Sequence, residues 1–183
     1  MKRYQLCLVI LALLGVVSLG LAQTVQKAKR HATSGHAGSA HVLVTPDQVK
    51  WGPAPPALPP GAQLAVLEGD PSKAGVPFAV RARFPDGYRV PPHWHPTVER
   101  VVVIQGSLGL GMGDRFDQAA GQELPVGSYA SMPKGVRHFA WAIGETVVQI
   151  SGVGPFEVNY VNAADDPRKT LRRDRPLRPL RSE

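Results

Sequence analysis

Cysteine is nearly absent from this chain of 183 residues, and Cys7 is the only one. A single thiol excludes a disulfide framework, a cysteine-rich zinc site and a paired redox motif. Aromatic residues are sparse at 7%, and no long stretch repeats apolar residues at helical spacing, which argues against a helical bundle. Internal repeats are also missing. The hydrophobic fraction is nonetheless 43%, enough for a packed core and incompatible with wholesale disorder. What the chain has in plenty is Gly 19 and Pro 18, a composition that suits short strands joined by turns. The length fits one domain with appendages.

The formal net charge of +7 invites a nucleic-acid or anionic-membrane reading, and its distribution removes the first. Residues 1–22 carry +2, residues 23–41 carry +3, and 168–183 carry +5, leaving the body from 42 to 167 at −3. The basic character belongs to the ends, so nucleic acid is not an expected partner. Met1-Lys2-Arg3 followed by the apolar run Leu6 to Ala22 reads as a signal peptide over 1–22 with cleavage before Gln23; an uncleaved anchor is the alternative. Cys7 lies inside that run rather than at its end, so it is not the lipid-bearing residue of a lipoprotein. The expectation is an exported protein, periplasmic or secreted, with no stable membrane span after cleavage. Residues 23–41, rich in Ala, Ser, Gly and Lys, read as a flexible linker, and 168–183, alternating Arg with Pro and Leu, as a basic flexible tail.

The body reads as all-β. Strands are expected at Gln63–Leu67, Phe78–Phe84, Val98–Gln105, Ser107–Gly111, Ser128–Met132, Arg137–Ile143, Thr146–Ser151 and Phe156–Val161, each bounded by Gly or Pro. Such spacing predicts an antiparallel sandwich or barrel. The run Gly109-Leu-Gly-Met-Gly113 is read as a turn, not a nucleotide loop, because no helical pattern follows.

Two motifs carry chemistry. In PPHWHPTVERVVVIQG, His93 and His95 stand two apart, so on a strand both imidazoles leave the same face, and Glu99 follows past Pro96. Two imidazoles and a carboxylate converging on one point suit a borderline divalent metal. In GSYASMPKGVRH, Gly and Pro set a tight turn before His138.

Together these strings resemble the two motifs of the cupin superfamily. Gly87, His93, His95, Glu99 and Gly106 match the first, and Gly127, Pro133, Gly135 and His138 the second, with 20 residues between Gly106 and Gly127. One departure is Ala142, where the pattern often has Asn. The chain is most similar to small single-domain cupins of the cupin-2 and ChrR-like kind. The resemblance implies an antiparallel double-stranded β-helix, a jelly-roll barrel, over 42–167. It implies one divalent metal ion (Mn, Fe, Zn, Ni or Cu) held by His93, His95, Glu99 and His138. Three neutral imidazoles and one carboxylate would leave the ion near +1, with two positions open if it is octahedral. It also implies a small-molecule ligand or substrate, and a homodimer as a candidate assembly.

Four further residues are candidates for substrate binding. Arg81 and Arg83 share a strand face and could clamp a carboxylate if that face is inward; if the Phe78/Val80/Phe84 face is inward, they are surface charges. Phe139 and Trp141 could line a pocket, with core packing as the other explanation. Two classes of function follow from the resemblance. One is metal-dependent, dioxygenase-like or oxidase/lyase-like chemistry on a small oxygenated or carboxylated molecule. The other is a non-enzymatic metal or small-ligand binding or sensing module.

Overall fold

The computed structural model describes residues 41–169. The signal peptide expected over 1–22, the linker up to residue 40 and the tail beyond Lys169 lie outside the described residues. Among the described residues no helix is long and apolar enough to cross a membrane. The described residues form nine strands, in order β1 (Gly52–Pro53), β2 (Gln63–Gly69), β3 (Pro77–Phe84), β4 (Arg89–Trp94), β5 (Glu99–Met112), β6 (Gln122–Pro125), β7 (Tyr129–Met132), β8 (His138–Val153) and β9 (Asn159–Tyr160). All their pairings are antiparallel.

Two long strands make the barrel. The second half of β8, from Thr146 to Val153, pairs with β3 on one side and with the first half of β5 on the other. The first half of β8 pairs with the second half of β5 and, across its other edge, with β4. Each strand therefore passes from one sheet into the other and joins the two layers as a jelly roll. Sequence reading divided each of these strands in two, at Gly106 and at Gly144-Glu145. The glycines are there, but they turn the strand without ending it. Gly106 adopts φ +69°, and a Cβ there would lie 2.4 Å from the Glu145 carbonyl oxygen. Thr146, wholly buried, ties the corner by donating from Oγ1 to the Ser107 carbonyl at 2.9 Å.

Alternation decides which residues face inward. Phe78, Val80, Ala82 and Phe84 of β3 are all buried, as the clean period-two pattern requires. Val101, Val103, Leu108, Leu110 and Val148 share that interior. The odd step from Val103 to Leu108 is absorbed by register shifts around Gln105, which return the apolar residues to the inside.

A second, smaller apolar layer lies outside β5 and β8. Phe139 and Trp141 stack there over glycines and are capped by Phe116, with Phe116–Phe139 centroids at 5.0 Å. A Cβ on Gly111 would lie 2.1 Å from Phe139 Cζ, and one on Gly109 1.8 Å from Trp141 Cε2. Only glycine lets the rings lie this close to the backbone. Gly111→Ala is therefore expected to destabilise the barrel by about 1–3 kcal/mol through overpacking. Denaturant unfolding should show a lower midpoint at unchanged slope.

Candidate metal centre

The site begins with a defect in a strand. β4 pairs Val90 with Ala140 and His93 with His138, so three steps on β4 oppose two on β8. The additional residue falls at Pro91-Pro92, which lack the N–H groups a regular ladder would need. Without this bulge, positions 90 and 93 would face opposite sides of the sheet. With it, Val90 and His93 are both buried and both line one interior cavity. His95 follows just beyond β4, His138 opens β8 and Glu99 opens β5.

These four side chains converge. Ligand atoms of His93, His95 and His138 lie within 4.8 Å of one another. Glu99 Oε2 is 3.4 Å from His95 Nε2 and 3.2 Å from His138 Nε2. All four residues are buried. The far side of each ring is anchored to backbone. Nδ1 of His93 donates to the Pro91 carbonyl at 2.8 Å, that of His95 to Glu157 at 2.7 Å, and that of His138 to Val136 at 3.0 Å. Committing Nδ1–H in this way fixes the tautomer and turns Nε2 to the centre as an acceptor. His95 Nε2 is buried without a hydrogen-bond partner among the described residues. Imidazole lone pairs and a carboxylate facing one another repel; a cation between them reverses the sign. The three-histidine cluster can thus hold a metal, and its donor set suits a borderline divalent ion.

The electrostatics agree with a ligand set. Burial, reinforced by the neighbouring His138 and His95, holds His93 down to about 3, so its imidazole is neutral at physiological pH. Burial alone would raise the Glu99 carboxyl; with a proton on the His138 and His95 Nε2 atoms in the place a cation would take, hydrogen bonds and positive charge from those rings outweigh burial and hold it well below the usual carboxylate range.

The remaining candidates fall elsewhere. Arg81 and Arg83 alternate with the inward-facing residues of β3 and lie on its outer face. There the Arg83 guanidinium stacks 4.2 Å over Trp51 and donates to Gln63 Oε1. Neither arginine lines the cavity; the inward face of β3 is the apolar one, so neither can clamp a substrate beside the metal site. Phe139 and Trp141 are likewise on the opposite face of β8 from His138 and Ala140, in the outer aromatic layer, and do not line the cavity.

What sequence reading missed is the cover. Of the strand expected at Phe156–Val161 only Asn159–Tyr160 forms; residues 154–158 are a loop whose Phe156 ring stacks on His95 at 4.2 Å and whose Glu157 supplies the carbonyl. Pro55, Ala57 and Leu58, before β2, close another side of the cavity. They are held by two tyrosines whose hydroxyls burial keeps protonated. Tyr88 donates to the Pro59 carbonyl at 2.5 Å and Tyr160 to Ala57 at 2.7 Å. Arg168, assigned from sequence to the tail, is instead fixed at the cavity mouth. Its Nε donates to Asp166 Oδ1 at 2.7 Å and Nη2 to the Val158 carbonyl at 3.0 Å. Proline-rich or irregular segments give no periodic signal, so only the Pro and Gly at their edges could have marked them.

The sequence pattern of a family described as a domain of unknown function, DUF4437, matches residues 43–176. The chain belongs to the DUF4437 family. Its jelly-roll barrel and two spaced motifs resemble those of the cupin superfamily. A germin-like protein of Oryza sativa subsp. japonica is 36% identical over 62 residues, 33% of this chain and 29% of that relative. Two solved structures share the fold. The acetylacetone dioxygenase of Acinetobacter johnsonii superposes with TM-score 0.54 at 17% identity, covering 73% of this chain and 85% of that one. The polyketide cyclase RemF of Streptomyces resistomycificus superposes with TM-score 0.53 at 20% identity, covering 71% and 92%.

Replacing His93 and His138 together by Ala is expected to abolish metal binding, read as ion content of the purified full chain by elemental analysis. Phe156→Ala leaves all four donors in place but removes the plate behind His95. It should weaken metal affinity by about tenfold or more, measured by competition with a chelator.

Proposed function

We propose that this DUF4437 cupin binds one divalent metal ion through His93, His95, Glu99 and His138 and carries out metal-dependent, dioxygenase-like or oxidase/lyase-like chemistry on a small oxygenated or carboxylated molecule. The observation that carries the proposal is the convergence of three Nε2 atoms and one carboxylate oxygen inside an apolar cavity. A bound divalent ion supplies Lewis acidity toward coordinated oxygens and, if redox-active, a route to dioxygen. The protein's part is geometric. The three backbone carbonyls hold the imidazoles in one tautomer, Glu99 lowers the charge at the centre, and Phe156 and the 55–58 segment keep water away.

Among the described residues the cavity gives none the role of a free general base. Besides the four candidate ligands, its only polar lining residues among those described are Glu157 and Arg168. Glu157 is exposed, and Arg168 is engaged with Asp166 and Val158. This favours reactions driven at the metal over proton abstraction by a side chain. That solved structures of the same fold include a dioxygenase and a cyclase supports enzymatic chemistry as the first reading. The apolar run Leu6 to Ala22 supports export, with the metal acquired outside the cytoplasm, and pairing into a homodimer is the proposed assembly.

The deciding measurement is oxygen uptake and product formation by metal-loaded protein across diketones, phenolics and small dicarboxylates. Turnover of at least one class, lost in the His93/His138 double variant, is the expected result. A stoichiometric ion with no turnover of any class would instead assign the protein to a binding or sensing role.

A further inference from the structure

The cavity around the candidate metal centre has a volume of about 270 Å³. A dry cavity of about 150 Å³ is enough to bind benzene, so this one takes a body somewhat larger than a single aromatic ring. Its wall is unusually uniform. Val80, Val101, Leu110, Met132, Val148 and Ile150 stand around the four polar side chains, and among the described residues the inner cavity lining carries no hydroxyl, amide or second charge. Polar groups return only at the mouth, where Arg168 has two nitrogens committed to the protein.

This division of labour restricts what can bind. Two oxygen atoms of a ligand can be satisfied at the metal. Any further hydroxyl carried into the cavity would lose its water and meet hydrocarbon, a penalty of roughly tenfold or more in affinity for each. Resting on the metal-centre reading above, we infer that the substrate is an apolar-bodied chelator. Its metal-binding oxygens, as in a 1,3-dicarbonyl, a hydroxyketone or a catechol, are carried on a hydrocarbon or aromatic body, the whole somewhat larger than a single ring. Sugars, sugar acids and other polyols are excluded by the wall rather than by the metal.

Hydroxamates test this without knowledge of the reaction, because each chelates through the same two oxygens and only the body changes. The full chain loaded with Co(II), whose visible absorption reports its coordination, is titrated with acetohydroxamate, hexanohydroxamate and gluconohydroxamate. Affinity should rise by about fourfold per added methylene, so hexanohydroxamate should bind roughly 100-fold more tightly than acetohydroxamate or better. Gluconohydroxamate, with the same number of carbons but five hydroxyls, should show no such gain. Val80→Thr and Val148→Thr each keep side-chain volume while adding a hydroxyl to the wall. Either should weaken hexanohydroxamate severalfold and leave acetohydroxamate unchanged. Equal affinity for the hexano and glucono ligands, or no gain with chain length, would overturn the inference while leaving the metal centre intact. Unchanged hexanohydroxamate binding in both variants would overturn it as well. If acetohydroxamate leaves the Co(II) spectrum unaltered, the metal-centre reading fails, and the substrate class falls with it.

Discussion

Three hydrogen bonds from imidazole Nδ1 to backbone carbonyls organise this protein. They come from separate parts of the chain: Pro91 is in β4, Val136 precedes β8, and Glu157 lies in the loop after β8. Each fixes one ring, and jointly they aim three acceptors at one point beside Glu99. A hydrogen bond of this kind contributes only about 0.5–1.5 kcal/mol to stability. Its value here is directional, because it sets which nitrogen faces the centre, and a ring turned over would present a donor in place of a ligand.

The barrel's irregularities serve that convergence. A strand has period two, so a regular β4 could not place Val90 and His93 on the same face; the Pro91-Pro92 bulge supplies the missing step and also the carbonyl that His93 uses. The shifts around Gln105 do the same for β5, allowing Glu99, Val101 and Val103 to point inward together with Leu108 and Leu110. Departures from ideal pairing are therefore located where the site needs a change of parity.

Legibility in the sequence followed periodicity and motif. Alternation in Phe78–Phe84 revealed the strand, and the two spaced motifs pointed to the four residues that the barrel brings together. For Arg81 and Arg83 the sequence left both orientations open, and the structure turns the apolar set of that alternation inward and the two arginines out. The parity of Phe139 and Trp141 was readable, since His138 must point the other way. What no local pattern could reveal was that the outer face of β8 is itself covered, which makes both rings core residues of a second layer. The Phe156 plate, the 55–58 cover and the docking of Arg168 rest on contacts across long sequence separations. The Tyr160–Ala57 bond, for instance, spans 103 residues, and neither partner has a local signature.

The scarcity of cysteine bears on how such an interior is sustained. Three imidazoles and a carboxylate surrounded by hydrocarbon are poorly solvated, and without a cation their mutual repulsion opposes folding. No disulfide network is present to offset that, because the chain has a single cysteine. Compensation must come from packing and from the ligand itself. The outer layer of Phe116, Phe139 and Trp141 over Gly109, Gly111 and Gly121 buries aromatic surface away from the polar centre, so β8 is held from both faces. A metal that binds only the folded arrangement stabilises it further by mass action. Site and scaffold are then linked through one strand: β8 presents His138 to the centre and, one residue on, Phe139 to the layer that fixes it in place.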